Sequence, residues 1–307
     1  MKKLVLVLFC VVYSVQSANA QIEDFISRYT EENGQGFTQP LADAFTANLN
    51  SGWYRTARSK KLGVQVYVGV STFAAIIPDD KKTFTAVVDE EFAQFSDQVD
   101  ENGNFSGAPT IFGDTEAITI QGAGGTEYSF PGGLGVDVFP FAVPQLSIGS
   151  VFHTDVSIRY VPTINAGEDI GDIDLFGFGI RHGIGQYIPL FPDKIDLAVA
   201  YYNTAFTIDE IVDANASMIT LQGSFTVPFI TAYGGLSYEM GDMSIAYTFA
   251  EGEPEEEEIR FDLDPGNTIR LTLGAALRLG PFRLNGEYNI SDQPVFSVGL
   301  GFAFGEK

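Results

Sequence analysis

The chain has 307 residues and a formal net charge of −23, and it contains 33 glycines, two histidines and one cysteine. A strongly acidic chain repels phosphate polymers, so we expect no nucleic-acid partner. The hydrophobic content of 45% excludes disorder, and the scarcity of histidine and cysteine predicts no metal centre and no cofactor.

Residues 1–20 have the pattern of a secretory signal peptide. Two lysines precede a short apolar stretch, and Ala18-Asn19-Ala20 forms a small-x-small cleavage site. We expect the mature chain to begin at Gln21, with a net charge of −25 and without Cys10. An uncleaved membrane anchor is the alternative, but the apolar stretch is short for a spanning helix.

Residues 21–52 have helical periodicity and predict a small helical plug, with apolar residues at i, i+3, i+4 and i+7. The glycine-containing stretch 32–36 predicts a break, and a second helix is expected to begin at Pro40. A periplasmic cap or docking segment is the alternative to a plug. The predicted plug residues are Ile22, Phe25, Ile26, Tyr29, Leu41 and Phe45.

Residues 53–307 predict an all-β domain, because the hydrophobic period changes to two from Leu62 onward. One face of each strand is apolar and the other is polar or small, as in 269–279, 282–290 and 294–304. We predict a transmembrane antiparallel β-barrel of about 12 strands, with a range of 10–14. The strands are expected near 62–77, 83–95, 111–121, 128–139, 145–160, 172–188, 194–208, 217–239, 242–250, 267–278, 282–290 and 294–304.

The strand pattern leaves alternatives at one segment and for the direction of the apolar face. Pro228 lies within 217–239, which is therefore either one bulged strand or two strands. Tight connections are expected at Leu279-Gly280-Pro281 and at the proline-containing corners 139–144 and 189–193. A soluble barrel would have the same alternation with its apolar face inward.

Strand length, aromatic residues near strand ends and an alternating last strand favour the membrane barrel. We therefore predict location in the outer membrane, with the lipid bilayer and lipopolysaccharide as partners. The stretch from Tyr29 to Phe45, followed by Asn48 to Trp53, resembles the N-terminal signature of an uncharacterised family of Gram-negative outer-membrane proteins. The barrel region is distantly similar to the FadL-type transporters of hydrophobic compounds. This resemblance implies a plug followed by a barrel, and a hydrophobic or amphipathic small-molecule ligand.

If the apolar faces meet lipid, the charged residues of the strands point into the lumen. One hypothesis is that lumen arginines hold the carboxylate of an amphipathic ligand. The alternative is a structural charge network that fills a narrow barrel. The candidate ligand-binding residues are His153, Asp155, Arg159, Arg270, Arg278, Arg283 and Glu287, with Asp196 on the same face.

The segment Glu251–Glu258 is a dense acidic loop that could bind divalent cations weakly at the lipopolysaccharide surface. A solvated loop is the alternative, because the ligand spacing of a calcium loop is missing.

The sequence therefore predicts passive transport of hydrophobic or amphipathic small molecules such as fatty acids. A non-transporting barrel that anchors partner proteins is the alternative. We expect no catalytic residues, although a lipid hydrolase stays open because His153 and Asp155 are expected on one strand face.

Overall fold

The computed structural model describes residues 29–88, 96–122, 125–165, 167, 171–189, 192, 194–249 and 257–305. The predicted signal peptide and the predicted plug residues Ile22, Phe25 and Ile26 lie outside these ranges. No helix in the described ranges is both long enough and apolar enough to cross a bilayer.

The described chain forms one α-helix and fifteen strands, and ten of the strands make a closed antiparallel barrel. Around the wall, each strand pairs with the next in this order, and the last pairs with the first: β1 (Leu62–Ile76), β6 (Val138–Val151), β7 (Thr154–Asn165), β8 (Asp172–Gly183), β9 (Ile195–Ile208), β10 (Val212–Thr226), β11 (Ile230–Phe249), β13 (Ile269–Leu279), β14 (Phe282–Ile290) and β15 (Val295–Phe304). The even number is the one expected when β1 begins and β15 ends at the same end of the barrel.

Ten strands form the wall, which is fewer than the predicted 12 but within the predicted range of 10–14. The strand β12 (Glu257–Leu263) pairs only with the far part of β11, beyond the residues of β11 that pair with β13. The described part of the predicted strand 83–95 and the predicted strand 111–121 do not join the wall, and residues 89–95 lie outside the described ranges. Instead the β1–β6 connection contains two separate hairpins, made of β2 (Thr83–Val87) with β3 (Asn104–Pro109) and β4 (Ile118–Gln121) with β5 (Glu127–Phe130).

The predicted orientation of the wall residues is confirmed, since the apolar face of each strand points outward. On β13, Leu271 and Leu273 are 42% and 54% exposed, whereas the alternating Arg270 and Thr272 are buried. The same pattern holds on β14 and β15, where Leu284 and Leu300 are exposed. A soluble barrel with an apolar interior and a polar exterior is therefore excluded.

The two ends of the barrel differ. At one end, which we call the tight-turn end, short turns at 152–153, 227–229 and 280–281 join neighbouring strands. The strand β1 begins and β15 finishes there, because Val66 pairs with Phe304. The opposite end, the loop end, has the long β1–β6 connection of residues 77–137.

Two predicted boundaries are wrong, and the structure decides one alternative that the sequence left open. The predicted strand 145–160 is a hairpin, with Phe152 and His153 at positive φ values of 49° and 61° in its turn. The segment 217–239 is two strands, and the turn that joins them contains Pro228. The predicted corner 139–144 lies inside β6 instead, whereas the predicted connection at Leu279-Gly280-Pro281 is confirmed.

The helix α1 (Glu31–Leu49) runs inside the barrel from the loop end to about half its depth. The predicted break at 32–36 is wrong, and so is a helix start at Pro40, because α1 is continuous through both. A Cβ atom at Gly34 would lie 2.6 Å from the Tyr247 hydroxyl, and one at Gly36 would lie 2.4 Å from the Phe84 ring. These glycines therefore permit close packing within a helix that the barrel stabilises, and they do not end it.

Candidate functional site

The C-terminal end of α1 is held at mid-barrel by Arg159 of β7. The Arg159 guanidinium donates to the carbonyl oxygens of Leu49 (2.8 Å) and Ser51 (2.7 Å), and its Nε donates to Gln145 Oε1 (3.0 Å). Its carbon Cζ lies 3.8 Å from the centroid of the Trp53 ring. A cation at the carbonyl end of a helix is favourable, so Arg159 both caps α1 and attaches it to the wall.

A second attachment comes from the opposite side of the wall. The Arg270 guanidinium of β13 donates to Ala47 O (2.9 Å) and to Ser51 Oγ (2.7 Å), and it lies 3.1 Å from Glu239 Oε1. The Glu287 carboxylate of β14 accepts from the backbone N–H of Gly52 at 2.7 Å. The residues 47–53 are therefore bonded to several strands around the barrel.

The predicted lumen residues thus fall into two groups. Arg159, Arg270 and Glu287 lie at mid-barrel and are hydrogen-bonded to residues 47–53. This arrangement is the one expected of a structural charge network that fills a narrow barrel. Arg278 and Arg283 lie at the tight-turn end and border a cavity there. Asp155 is buried on the inner face, and Asp196 is half-buried near the same end.

His153 lies in the β6–β7 turn and not on the lumen face of a strand, which corrects the prediction. Its Nδ1 is 3.3 Å from Ser59 Oγ, whereas the Asp155 carboxylate accepts from Ser150 Oγ and from Arg181. His153 and Asp155 therefore do not share the strand face on which the hydrolase hypothesis depended.

The half of the lumen nearer the loop end, which we call the upper half, is apolar, whereas the lumen at mid-barrel is polar. Phe45 of α1 lies among aromatic rings of the wall, 5.2 Å from Phe141 of β6 and 4.6 Å from Phe206 of β9, measured between ring centroids. Phe139 of β6 is 6.1 Å from Phe45 and 5.6 Å from Phe112 of the β1–β6 connection. We call these five residues the aromatic cluster. The predicted plug residues Tyr29 and Leu41 are also buried.

The wall beside the aromatic cluster is incompletely paired. The ladder between β6 and β7 ends at Gln145 and Arg159, and the upper parts, 138–144 and 160–165, pair only with β1 and β8. We call this region the β6–β7 seam. It contains Pro140, Pro144 and Pro162, and proline has no N–H to donate to a ladder. The sequence therefore favours a break in the wall here.

The β1–β6 connection covers the loop end of the lumen and is attached to α1. The Asn33 side chain exchanges two hydrogen bonds of 2.8 Å with the backbone of Val87. Lys81 Nζ lies 2.6 Å from Asp43 Oδ2. A molecule that entered the lumen from this end would therefore have to displace the connection or the helix.

Three functional candidates were missed by the sequence reasoning. Arg55 and Arg58 lie in the extended segment after α1 and border the same cavity as Arg278 and Arg283. Arg181 of β8 pairs with Asp155 and donates to the backbone carbonyl of Thr56. The signal for Arg55 and Arg58 was a cluster of basic residues between Trp53 and Leu62, in a chain with few basic residues.

The model of a family of unknown function, DUF6588, matches residues 1–304. The chain belongs to this family. None of the curated protein sequences matches it.

Several solved outer-membrane structures resemble this DUF6588 member distantly. Ail of Yersinia pestis is 10% identical with a TM-score of 0.27, covering 80% of this chain and 100% of its own. OmpT of Vibrio cholerae is 11% identical with a TM-score of 0.29, covering 82% and 100%. The toluene transporter TbuX of Ralstonia pickettii is 8% identical with a TM-score of 0.29, covering 80% and 90%. At these values the likenesses support no statement about function.

No group of three or more acidic or histidine side chains in the described ranges is arranged to hold a metal ion. Of the predicted cation loop, residues 251–256 lie outside the described residues. Glu257 and Glu258 begin β12 and are exposed.

Proposed function

We propose that this chain is an integral outer-membrane barrel that transports hydrophobic or amphipathic small molecules passively. The outward apolar face supports the membrane location, because so large an apolar exterior is unfavourable in water and favourable in acyl chains. The short turns at one end and the long connection at the other match the periplasmic and external ends of such barrels.

The observation that supports transport is the aromatic cluster beside the β6–β7 seam. Phe45 belongs to the lumen helix, and its ring occupies the space next to Phe141 of β6. A shift of α1 would open an apolar passage between the upper lumen and the lipid, through a part of the wall without ladder hydrogen bonds. An apolar cargo would leave sideways, and it would not have to cross the polar mid-barrel region.

A disulfide between α1 and the wall tests this gating role. An ideal Cβ atom at Gly241 of β11 lies 3.6 Å from Thr46 Cβ, which is within the disulfide range. The only cysteine of the chain is in the predicted signal peptide, so the double variant Thr46→Cys/Gly241→Cys would have no competing thiol.

The assay is the initial uptake rate of radiolabelled laurate and of naphthalene by intact Gram-negative cells whose outer membrane contains the chain. We expect uptake above that of cells lacking the chain, loss of this uptake when the double variant is oxidised, and recovery after reduction. The single variants are matched controls. Equal uptake by cells with and without the chain would refute transport.

The second candidate is a non-transporting barrel that anchors a partner protein. It is favoured by the attachment of α1 to Arg159 and Arg270, which leaves mid-barrel filled. A partner that co-purifies in stoichiometric amount, together with uptake that does not respond to the disulfide, would support this candidate. We propose no catalytic role for His153.

A further inference from the structure

The strand β12 has a free edge at the loop end of the barrel. It comes last in the order of the sheet and pairs with β11 alone. In the described ranges, no other strand lies beside its second edge. An unpaired edge presents a row of backbone N–H and C=O groups, and an extended segment of another chain can pair with such a row.

The residues whose backbone faces this edge follow from the pairing of β11. The Ala246 N–H donates to Ile211 O, on the side of β11 that is turned away from β12. Backbone groups of a strand point alternately to its two neighbours, so Ile245 points to β12, where it pairs with Phe261. The alternate residues of β12 therefore face the free edge, and we call them the edge residues: Glu258, Arg260 and Asp262.

The two faces of β12 differ in their chemistry. Phe261 and Leu263 are buried on the inner side, where a Cβ atom at Gly34 of α1 would lie 3.1 Å from the Phe261 ring. The side chains of the edge residues are exposed on the outer side. A strand that matches this edge therefore has apolar side chains on its inner face and polar side chains on its outer face.

The outer face beside the free edge is acidic. Glu257, Glu258 and Asp262 are exposed, and no ion pair of theirs occurs among the described residues. The guanidinium of Arg260, which is also exposed, donates to Glu210 O (3.1 Å) in the β9–β10 turn and so extends away from the free edge. Charges that lie opposite each other on neighbouring strands are stabilising when unlike and destabilising when like. A basic strand therefore complements this edge, whereas an acidic strand does not.

We propose that the free edge of β12 binds an extended basic segment of a partner protein by strand addition. Backbone hydrogen bonds to the edge residues supply the affinity. Lysine or arginine side chains opposite Glu258 and Asp262 determine which segment is bound. This function goes beyond transport and does not depend on it. Only the compartment of the partner rests on the proposed membrane orientation.

The test is fluorescence anisotropy of a labelled peptide with the mature chain folded in non-ionic detergent, measured against detergent alone. The peptide is Val-Lys-Val-Thr-Val-Lys-Val, which has seven residues like β12. In an antiparallel pair its lysines lie opposite Glu258 and Asp262, and its threonine lies opposite Arg260. We expect saturable binding at low ionic strength.

Methylation of the peptide backbone tests the strand addition itself. N-methyl groups on the two lysines remove N–H donors that face β12 and keep both positive charges, so binding should weaken about tenfold or more. The matched control has N-methyl groups on the two inner valines. Their N–H groups face away from β12, so this peptide should bind much more tightly than the one with methylated lysines.

The double variant Glu258→Lys/Asp262→Lys tests the role of charge. It should bind the basic peptide about tenfold or more weakly, and it should bind a peptide with glutamate in place of lysine more tightly than the unaltered chain does. The control Asp114→Lys/Glu116→Lys makes the same charge change at exposed residues of the β1–β6 connection and should leave binding unchanged. If the first double variant does not fold, as judged by heat-modifiable gel migration, Arg260→Pro replaces it. Proline there removes one N–H at the free edge and no bond to β11, so binding should weaken about fivefold.

The proposal is overturned if the basic peptide does not bind, if methylated lysines leave its affinity unchanged, or if the folded edge variant binds like the unaltered chain. It is also overturned if the unaltered chain forms a dimer that the peptide does not dissociate, because a second copy would then occupy the edge. Failure of the transport proposal would appear only in cells, as equal uptake with and without the chain, so the two results are distinguishable.

Discussion

Replacement of Arg159 by methionine should release the lumen helix while leaving the barrel folded. Methionine keeps much of the length of the side chain but donates no hydrogen bond. The carbonyl oxygens of Leu49 and Ser51 and the amide oxygen of Gln145 would lose their bonds to Arg159 in a buried region. Each such loss costs about 1–3 kcal/mol.

The total cost of losing these three hydrogen bonds is less than the sum of the separate costs, because the methionine variant has no guanidinium group to desolvate. The lost stacking on Trp53 adds about 1 kcal/mol to the cost. We therefore expect the free energy of helix release to fall by about 3 kcal/mol, which is roughly a hundredfold change in its equilibrium constant. Arg159→Lys keeps the charge but not the planar set of donors, so it should cost less.

The assay uses Trp53, the single tryptophan of the chain, which is 2% exposed and stacks on Tyr202 at 4.7 Å between ring centroids. In a denaturant titration in detergent, its emission should shift to the red at lower denaturant in Arg159→Met. Gel migration should report the barrel transition unchanged. The control Arg260→Met should differ from the unaltered chain by less than about 0.5 kcal/mol. Equal helix-release free energies for Arg159→Met and this control would refute the reasoning.

Three further predictions concern the wall and the seam. Phe45→Ala should remove the ring beside the seam, cost about 3–5 kcal/mol in helix-release free energy and raise naphthalene uptake, with Phe45→Leu as the control. Replacing Pro140, Pro144 and Pro162 together by threonine should restore ladder donors, slow uptake and raise the denaturant midpoint of the barrel; unchanged uptake would contradict a role for the seam. Leu273→Arg should lower the folding free energy in vesicles by about 2–4 kcal/mol, whereas Leu273→Ala should cost much less.

The period of hydrophobic residues was enough to determine the class of fold and which residues of each strand share a face, whereas strand length and aromatic residues near strand ends favoured the apolar face as the outer one. In β13, Leu271 and Leu273 face outward and Arg270 faces inward, as the alternation predicts. The reason is geometric, because successive side chains of a strand point to opposite faces whatever the strand pairs with. The same argument placed Arg283 and Glu287 on the inner face.

The positions of turns and the pairing of strands could not be predicted from the hydrophobic period. Phe152 and His153 adopt positive φ values, which are uncommon for any residue other than glycine, so the sequence contained little signal of a turn there. A strand does begin at Thr83, as the pattern predicts, but this strand, β2, pairs with β3 and not with the wall. Alternation shows that a strand exists, but it does not show which strand lies beside it.

For the site, the sequence determined which charged residues face the lumen, and only the tertiary structure decided what they do there. Arg159 and Arg270 bond to residues 47–51, which are distant in sequence, so their role depends on where the barrel holds the helix. The continuity of α1 through Gly34 and Pro40 has the same origin. An interior glycine costs about 1 kcal/mol and an interior proline about 3 kcal/mol in helix propensity, and packing inside a closed barrel outweighs both.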